Sequence, residues 1–410
     1  MNLEYFIAKR LINAKSYKSS VSSPIIKIAI LAITISIVMM IMSVATGIGL
    51  QQKIREKISA FNGQIIVTSF DDNQSQVTVA PLSKKAFPMD KLKQIPQVTH
   101  IQSVATKAGL IRTEKEFEGI VFKGVNNKYN WSSLKEFIVE GSVPRFSADN
   151  NNEVLISQFL AKRLNLKLND RFNTFFMKEQ GKLPSVRKFK VVGIYNSGFQ
   201  EFDASYVIGS IEHIQRINKW SKDQVGAYEI YIDNFDQLDQ IANKVYHSIP
   251  PTYNSIAISE KYFSIFEWLK LFDFNIVVVL IIMIIVATIN MVVALLVLIL
   301  ERTQLIGLLK SLGANNWSIR KIFIYNAIYL IGRGLFWGNL IALSLLYLQK
   351  YLGIVKLNPE SYYVNVAPVD INWFYIVLLN VGTVVICGLV LIIPSYIITK
   401  VSPVKALKFD

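Results

Sequence analysis

Ile28 to Leu50 runs for 23 residues without Asp, Glu, Lys, Arg or His, Phe274 to Leu300 for 27, and Ile371 to Thr399 for 29. Each exceeds the roughly 20 residues that a helix rising ~1.5 Å per residue needs to cross a bilayer core. Ile322 to Leu348 has the same apolar character over 27 residues, interrupted only by Arg333. In lipid every backbone polar group has to be satisfied within the segment, so these runs are expected as four transmembrane helices. Ser43-Val44-Ala45 offers small residues like those of a cleavage site, yet five basic side chains precede this run, which is far longer than a secretory core of roughly 7 to 15 residues. It is read as a retained span.

Lys and Arg fix the orientation. Lys9, Arg10, Lys15, Lys18 and Lys27 precede the first span against Glu4; Arg302, Lys310, Arg320 and Lys321 lie between spans two and three against Glu301; Lys400, Lys405 and Lys408 follow the last span against Asp410. These 12 basic and 3 acidic side chains give +9 on one face, whereas residues 349–370 balance Lys350 and Lys356 with Glu360 and Asp370. The positive-inside rule then puts both termini and the 301–321 loop in the cytoplasm. The formal charge of +15 reads as a topology signal rather than a nucleic-acid footprint, and no nucleic acid is expected as a partner. The expected segments are 1–27 (a cytoplasmic amphipathic stretch), span 28–50, an external domain 51–273, span 274–300, a cytoplasmic loop 301–321, span 322–348, a short outer loop 349–370, span 371–399 and a tail 400–410.

The external block carries 29 basic and 24 acidic side chains, the balance of a water-soluble domain with its own core. Strand-like runs at Gln64–Thr68, Lys188–Tyr195, Tyr206–Ile208 and Tyr228–Ile232 alternate with helical stretches at Ser157–Asn165, Ile211–Asn218 and Phe235–Tyr246. The fold class is therefore integral membrane α-helical, four transmembrane helices, with a large α+β domain inserted between helices 1 and 2, in more than one lobe. Asp71–Ser75 and Ser147–Asn152 read as surface loops.

Catalytic patterns are missing from the sequence. There is no phosphate loop, no dinucleotide fingerprint and no H-E-x-x-H, and His100, His213 and His247 stand far apart. The single cysteine, Cys387, falls inside span four, which removes a disulfide framework. No catalytic residue, metal or directly bound cofactor is expected.

The cytoplasmic loop is more telling. Leu305, Leu308, Leu309 and Leu312 recur at i, i+3, i+4, i+7 and the run stops at Gly313, which predicts a short amphipathic helix. Such a helix either lies on lipid or docks in a partner's groove. Within the membrane, Arg333 lies ~18 Å beyond Lys321 along a helix, and no span offers Asp or Glu to neutralise it. Burying it costs about 2.5 to 3.5 kcal/mol on insertion scales. It is expected to face a polar cavity or another helix, with Asn290 at similar depth as its contact, or else to snorkel beside Gly332 and Gly334.

The run Glu301-Arg302-Thr303-Gln304-Leu305-Ile306-Gly307-Leu308-Leu309-Lys310-Ser311-Leu312-Gly313-Ala314 resembles the signature of the FtsX-like permease family, and the four-span layout is similar to that of MacB, FtsX and LolC/LolE transporters. Asn2 to Leu11, Tyr362 to Val369, Ser402 to Asp410 and the external element Ser157 to Asp170 resemble the lipoprotein-releasing LolC/LolE branch, with Asn169 in place of a turn glycine. The resemblance implies a permease subunit without a nucleotide site, working with a LolD-like ATPase that holds ATP and Mg. It also implies a second permease protomer, a periplasmic LolA-like carrier, a lipoprotein substrate and membrane lipids as partners, in a bacterial inner membrane. It assigns Leu305, Leu308, Leu309, Lys310, Leu312 and Gly313 to ATPase coupling, and spans one and two to lateral entry of acylated substrate. Residues 181–189, with Lys182, Leu183, Pro184, Arg187 and Lys188, read as the tip of a hairpin between strands at Arg171–Met177 and Phe189–Tyr195 and resemble the carrier-binding hook; the plain alternative is a basic surface loop. Other readings are a MacB-like mechanotransmission efflux permease, which a fused ATPase would favour, and an FtsX-like transmembrane regulator of a cell-wall hydrolase.

Overall fold

The four apolar runs form the cores of helices that outgrow them. In the structure, a computed structural model describing residues 3–13, 22–70, 80–113, 116–147, 151–178 and 183–400, they lie in helices Ser22–Asn62, Phe263–Glu301, Asn316–Leu352 and Trp373–Val390. The last span does not continue as one regular helix to Thr399 but breaks into short turns, Ile392–Ser395 and Ile397–Lys400. Pro394 has no N–H for the preceding turn, which accounts for the interruption. The chain divides into two compact units: Met1–Gln51, Trp268–Lys356 and Val366–Asp410 form one, Gln52–Glu267 and Leu357–Asn365 the other. The outer loop expected over 349–370 is thus shared, its middle belonging with the external domain.

Within the membrane unit, Ile33, Ile37, Met40, Met291, Phe323, Ile331 and Leu391 belong to one buried cluster. Gly334 and Gly338 let span three approach span one closely: a methyl group on them would lie 2.6 and 2.8 Å from Ile33 and Ile37. Thr34 Oγ1 donates to the Gly334 carbonyl at 3.2 Å in the same crossing. Small residues at such a contact are the usual means of packing helices where lipid supplies no hydrophobic drive. Spans three and four share a reciprocal amide pair, Asn339 Nδ2 to Asn380 Oδ1 at 2.6 Å and the reverse bond at 2.9 Å.

The external unit is built on strands β1 (Ile65–Ser69), β2 (Leu82–Ser83), β3 (Val98–Arg112), β4 (Phe117–Val125), β5 (Ile138–Gly141), β6 (Glu153–Ser157), β7 (Arg171–Phe176), β8 (Ser185–Tyr195), β9 (Tyr206–Ser210), β10 (Gln224–Val225), β11 (Ala227–Ile232) and β12 (Tyr253–Ala257). β2 and β10 pair separately; the other ten form one sheet. β3, β4, β9, β6, β8 and β7 pair in succession and β7 returns to β3, so this half closes on itself. Phe122, Phe176 and Phe189 pack there, with Phe122 and Phe189 stacked at 4.9 Å. The other half, β12-β1-β11, joins through β3, so the two halves share a strand rather than forming separate lobes. Ser157 and Ser210 each end a strand and cap the next helix, accepting from Leu160 N and Glu212 N. Asn169 takes φ 72°, as expected of an asparagine standing in a glycine turn.

The external end of the first helix is held by charge. The helix stops at Gly63, φ 68°, where a side chain would press on Glu229 and Ile230. Just before it, the Phe61 carbonyl accepts from the buried Lys123 ammonium, which also pairs with Glu229 at 2.5 Å. Gln102 donates to the second Glu229 oxygen at 2.9 Å. The Phe61 ring begins a stacked column through Phe202, Phe199 and Tyr363, with ring centroids 4.8, 4.7 and 4.6 Å apart.

Candidate functional site

The helix expected between spans two and three is present as Thr303–Ser311. Its leucines do not all share one fate. Ile306 and Gly307 are buried, Ile306 within the bundle cluster, while Leu305 and Leu309 are half-buried. Leu308 keeps 48% and Leu312 76% of its surface exposed. The 3.6-residue period gives the helix two apolar sides: an inner one anchored by Ile306 and an outer edge at Leu308 and Leu312. Gly313, φ 87°, ends the helix with open space around it, and the Ala314 amide returns to the Leu309 carbonyl at 2.9 Å. Lys310 donates to the Ile398 and Thr399 carbonyls at 2.8 and 3.2 Å. Ile398 and Thr399 lie in the turn Ile397–Lys400, and a cation beside backbone carbonyls at the C-terminal side of a helix is favoured. Sequence spacing alone could not show this, because the acceptors lie about ninety residues away and are backbone atoms.

The external hairpin exists, but its tip is displaced from the expected one. β7 and β8 pair from Arg171↔Lys190 to Phe176↔Ser185, so Arg187 and Lys188 stand in the ladder opposite Thr174 and Asn173 rather than in the loop. Basic residues read as loop from sequence, yet Lys188 is exposed on the outward face of the strand, where a charge costs little, while Arg187 is half-buried on the face of Phe189 and Thr174. Leu183 and Pro184 remain at the tip; Lys182 lies outside the described residues. The tip and its flanks are apolar as well as basic: Leu183 is 86% exposed, and Met177 and Val186 are exposed too.

Arg333 and Asn290 are not brought together. The Arg333 guanidinium lies over the Tyr329 ring at 5.7 Å on an exposed face of span three, and the Asn290 amide donates to the Val286 carbonyl at 2.8 Å in its own helix. Gly334 serves the crossing with span one, while Gly332 has open space. His213 is buried against Phe189, its Nε2 2.9 Å from the Asn151 carbonyl, and burial lowers its pKa. The remaining calls on Asn2, Asp71–Ser75 and Ser402–Asp410 lie outside the described residues.

The FtsX-like permease C-terminal family matches residues 277–403 and the MacB-like periplasmic core domain matches residues 28–246, more than half of the chain. An uncharacterized membrane protein of Buchnera aphidicola subsp. Schizaphis graminum is 28% identical, covering 99% of each chain. The lipoprotein-releasing system transmembrane protein LolE of Haemophilus influenzae is 21% identical over 99% of each, and LolC of the same Buchnera is 21% identical over 93% of each. With four spans, a large domain between the first two and a short helix between the second and third, the chain belongs to the FtsX-like ABC transporter permeases with a MacB-like periplasmic core.

Proposed function

We propose that this permease extracts lipoproteins from the outer leaflet of a bacterial inner membrane and passes them to a periplasmic LolA-like carrier. Energy comes from ATP and Mg bound on a separate LolD-like ATPase, and a second permease protomer completes the transporter. Both termini and the Thr303–Ser311 helix are cytoplasmic in this reading, as the +9 of the basic segments requires. The observation that carries it is the outer edge of that helix: Leu308 and Leu312 stay exposed although neighbouring Ile306 is buried. Aliphatic side chains held out on a rigid short helix suit a groove in a partner. The similarity to LolC and LolE over nearly the whole length favours lipoprotein release among the family's activities. The outward apolar face of span two, with Ile281, Ile285, Ile289 and Val293, supports contact with acyl chains. The apolar tip around Leu183 suits the carrier better than a wholly basic loop would.

Co-expression with the ATPase tests the reading. Leu308→Asp with Leu312→Asp is expected to abolish co-purification while leaving the permease folded, because neither side chain packs in the core. ATPase retained by the double variant removes the coupling assignment. Acylated lipoprotein is expected to co-purify with the wild-type complex and leave it on ATP addition. An FtsX-like regulator would instead retain a cell-wall hydrolase and no acylated protein.

A further inference from the structure

The external unit contains a cleft of about 270 Å³ lined by residues that the transport reading does not use, among them Gln158, Lys162, Gly198, Gln200, Pro359 and Asn365. It is smaller than the roughly 300–1,000 Å³ of pockets for drug-sized ligands, so it suits a short stretch of chain rather than a large cofactor. One wall is the segment Leu357–Asn365, which folds with this unit. Tyr363, at φ 58°, stacks on Phe199 at 4.6 Å and holds that wall.

The polar groups around the cleft are unevenly satisfied. Asp203 is saturated: its oxygens accept from Ser197 N and Oγ at 3.1 and 2.7 Å and from Gly198 N at 3.0 Å. Gln158 accepts from Asn196 at 3.0 Å. The Lys162 ammonium and the side-chain amides of Gln200 and Asn365 make no hydrogen bond with another described residue. Beneath Gly198 lies the ammonium of Lys57, a residue only 6% exposed, whose one hydrogen bond among the described residues goes to the Tyr363 carbonyl at 2.9 Å. A buried ammonium has three protons to place, and each one unsatisfied is costly. A Cβ at position 198 would stand 3.1 Å from Lys57 Nζ, so the glycine leaves that approach clear. The cleft therefore presents one cation in its lining, Lys162, a second, Lys57, just behind Gly198, and the two amides of Gln200 and Asn365, while the carboxylate of its lining, Asp203, is already engaged.

We propose that this cleft receives an acidic side chain of an extended polypeptide, its carboxylate drawn by Lys57 and Lys162 and its flanking peptide groups met by Gln200 and Asn365, with Phe159 and Pro359 as apolar walls. Burial, reinforced by Lys53, pushes the Lys57 pKa down to about 8, and Asp203 and Glu136 only partly oppose this. A bound carboxylate relieves that penalty, and the attraction fades as pH rises through the same value and the ammonium is lost. The site stands independently of which substrate the transporter moves.

Equilibrium binding to the full-length protein in detergent tests it, with a dye-labelled Gly-Glu-Gly peptide, its Gly-Gln-Gly twin and acetate as probes. The acidic peptide is expected to bind about tenfold more tightly than its twin, the scale of one charge-assisted contact. Lys162→Gln, at an exposed position that leaves the fold intact, is expected to remove much of that preference, and raising the pH from 7 to 9 to weaken acidic-peptide binding. Equal affinity for the twins overturns the proposal, as does an unchanged preference in Lys162→Gln. Acetate displacing the peptide at matching concentration overturns it too, since the site would then be a general anion site.

Discussion

The two units bury polar groups by opposite means. In the external domain, Lys123 and Glu229 are both nearly inaccessible and meet as full charges, with the Phe61 carbonyl and Gln102 completing their shells. In the membrane unit two contacts in the middle of the spans are neutral: the half-buried Asn339–Asn380 amides and the Thr34 hydroxyl on the Gly334 carbonyl. The domain can assemble around a charge pair because its strands converge on it from several directions. A helix in lipid has only its neighbours, and for an ion the penalty of an imperfect match is far larger than for an amide. Arg333 obeys the same logic: the one ion within the spans sits on an exposed flank against Tyr329 rather than in the bundle cluster.

Breaking the charged side should have the largest effect. Glu229→Gln leaves Lys123 charged and unpaired, and the external domain is expected to lose about 3–5 kcal/mol, read as a lowered unfolding midpoint of the full-length protein in denaturant. Lys123→Met combined with Glu229→Leu should recover most of that loss; no recovery would mean that the Phe61 carbonyl and Gln102, rather than the pair itself, set the stability. Next comes the crossing of spans one and three. Gly334→Val puts methyl groups where Ile33 already stands, and an overpacking cost of about 1–3 kcal/mol is expected in thermal scans, with Gly332→Val, in open space, as the silent control. The smallest effect belongs to the amide pair. Asn339→Leu should cost about 0.6–2 kcal/mol, and a double-mutant cycle with Asn380→Leu should show the coupling. A loss as large as that of Glu229→Gln would erase the contrast between the units.

The four spans, the inserted domain, strands β1, β7, β8, β9 and β11 and three of the domain's helices are legible in the sequence, because apolar run length and local periodicity are properties of contiguous residues; the long β3 and its partner β4 are not. Asn169 is legible for the same reason: a left-handed turn is decided within a few positions. The closure of β3 on β7 is not, since it pairs strands about sixty residues apart. Nor is the membership of Leu357–Asn365 in the external unit, which depends on Phe199 and Lys57 far upstream. At the sites, the helical period puts Leu305, Leu308, Leu309 and Leu312 on one face but does not show which of them turn inward; that choice belongs to Ile306 and its packing. Lys310 and Arg187 have the same charge signature as surface residues, and only tertiary partners separate them from one.

Lys310 has a mechanical consequence. Thr303–Ser311 is joined covalently to span two through Arg302 and to span three through residues 312–315, and the two bonds from Lys310 fasten it to the turn Ile397–Lys400 that follows span four. If a partner pushes on the Leu308–Leu312 edge, as proposed above, the push meets a corner tied to three spans rather than a hinge. Removing the brace with Lys310→Met would leave that push its covalent routes into spans two and three and cut its direct route into the end of span four.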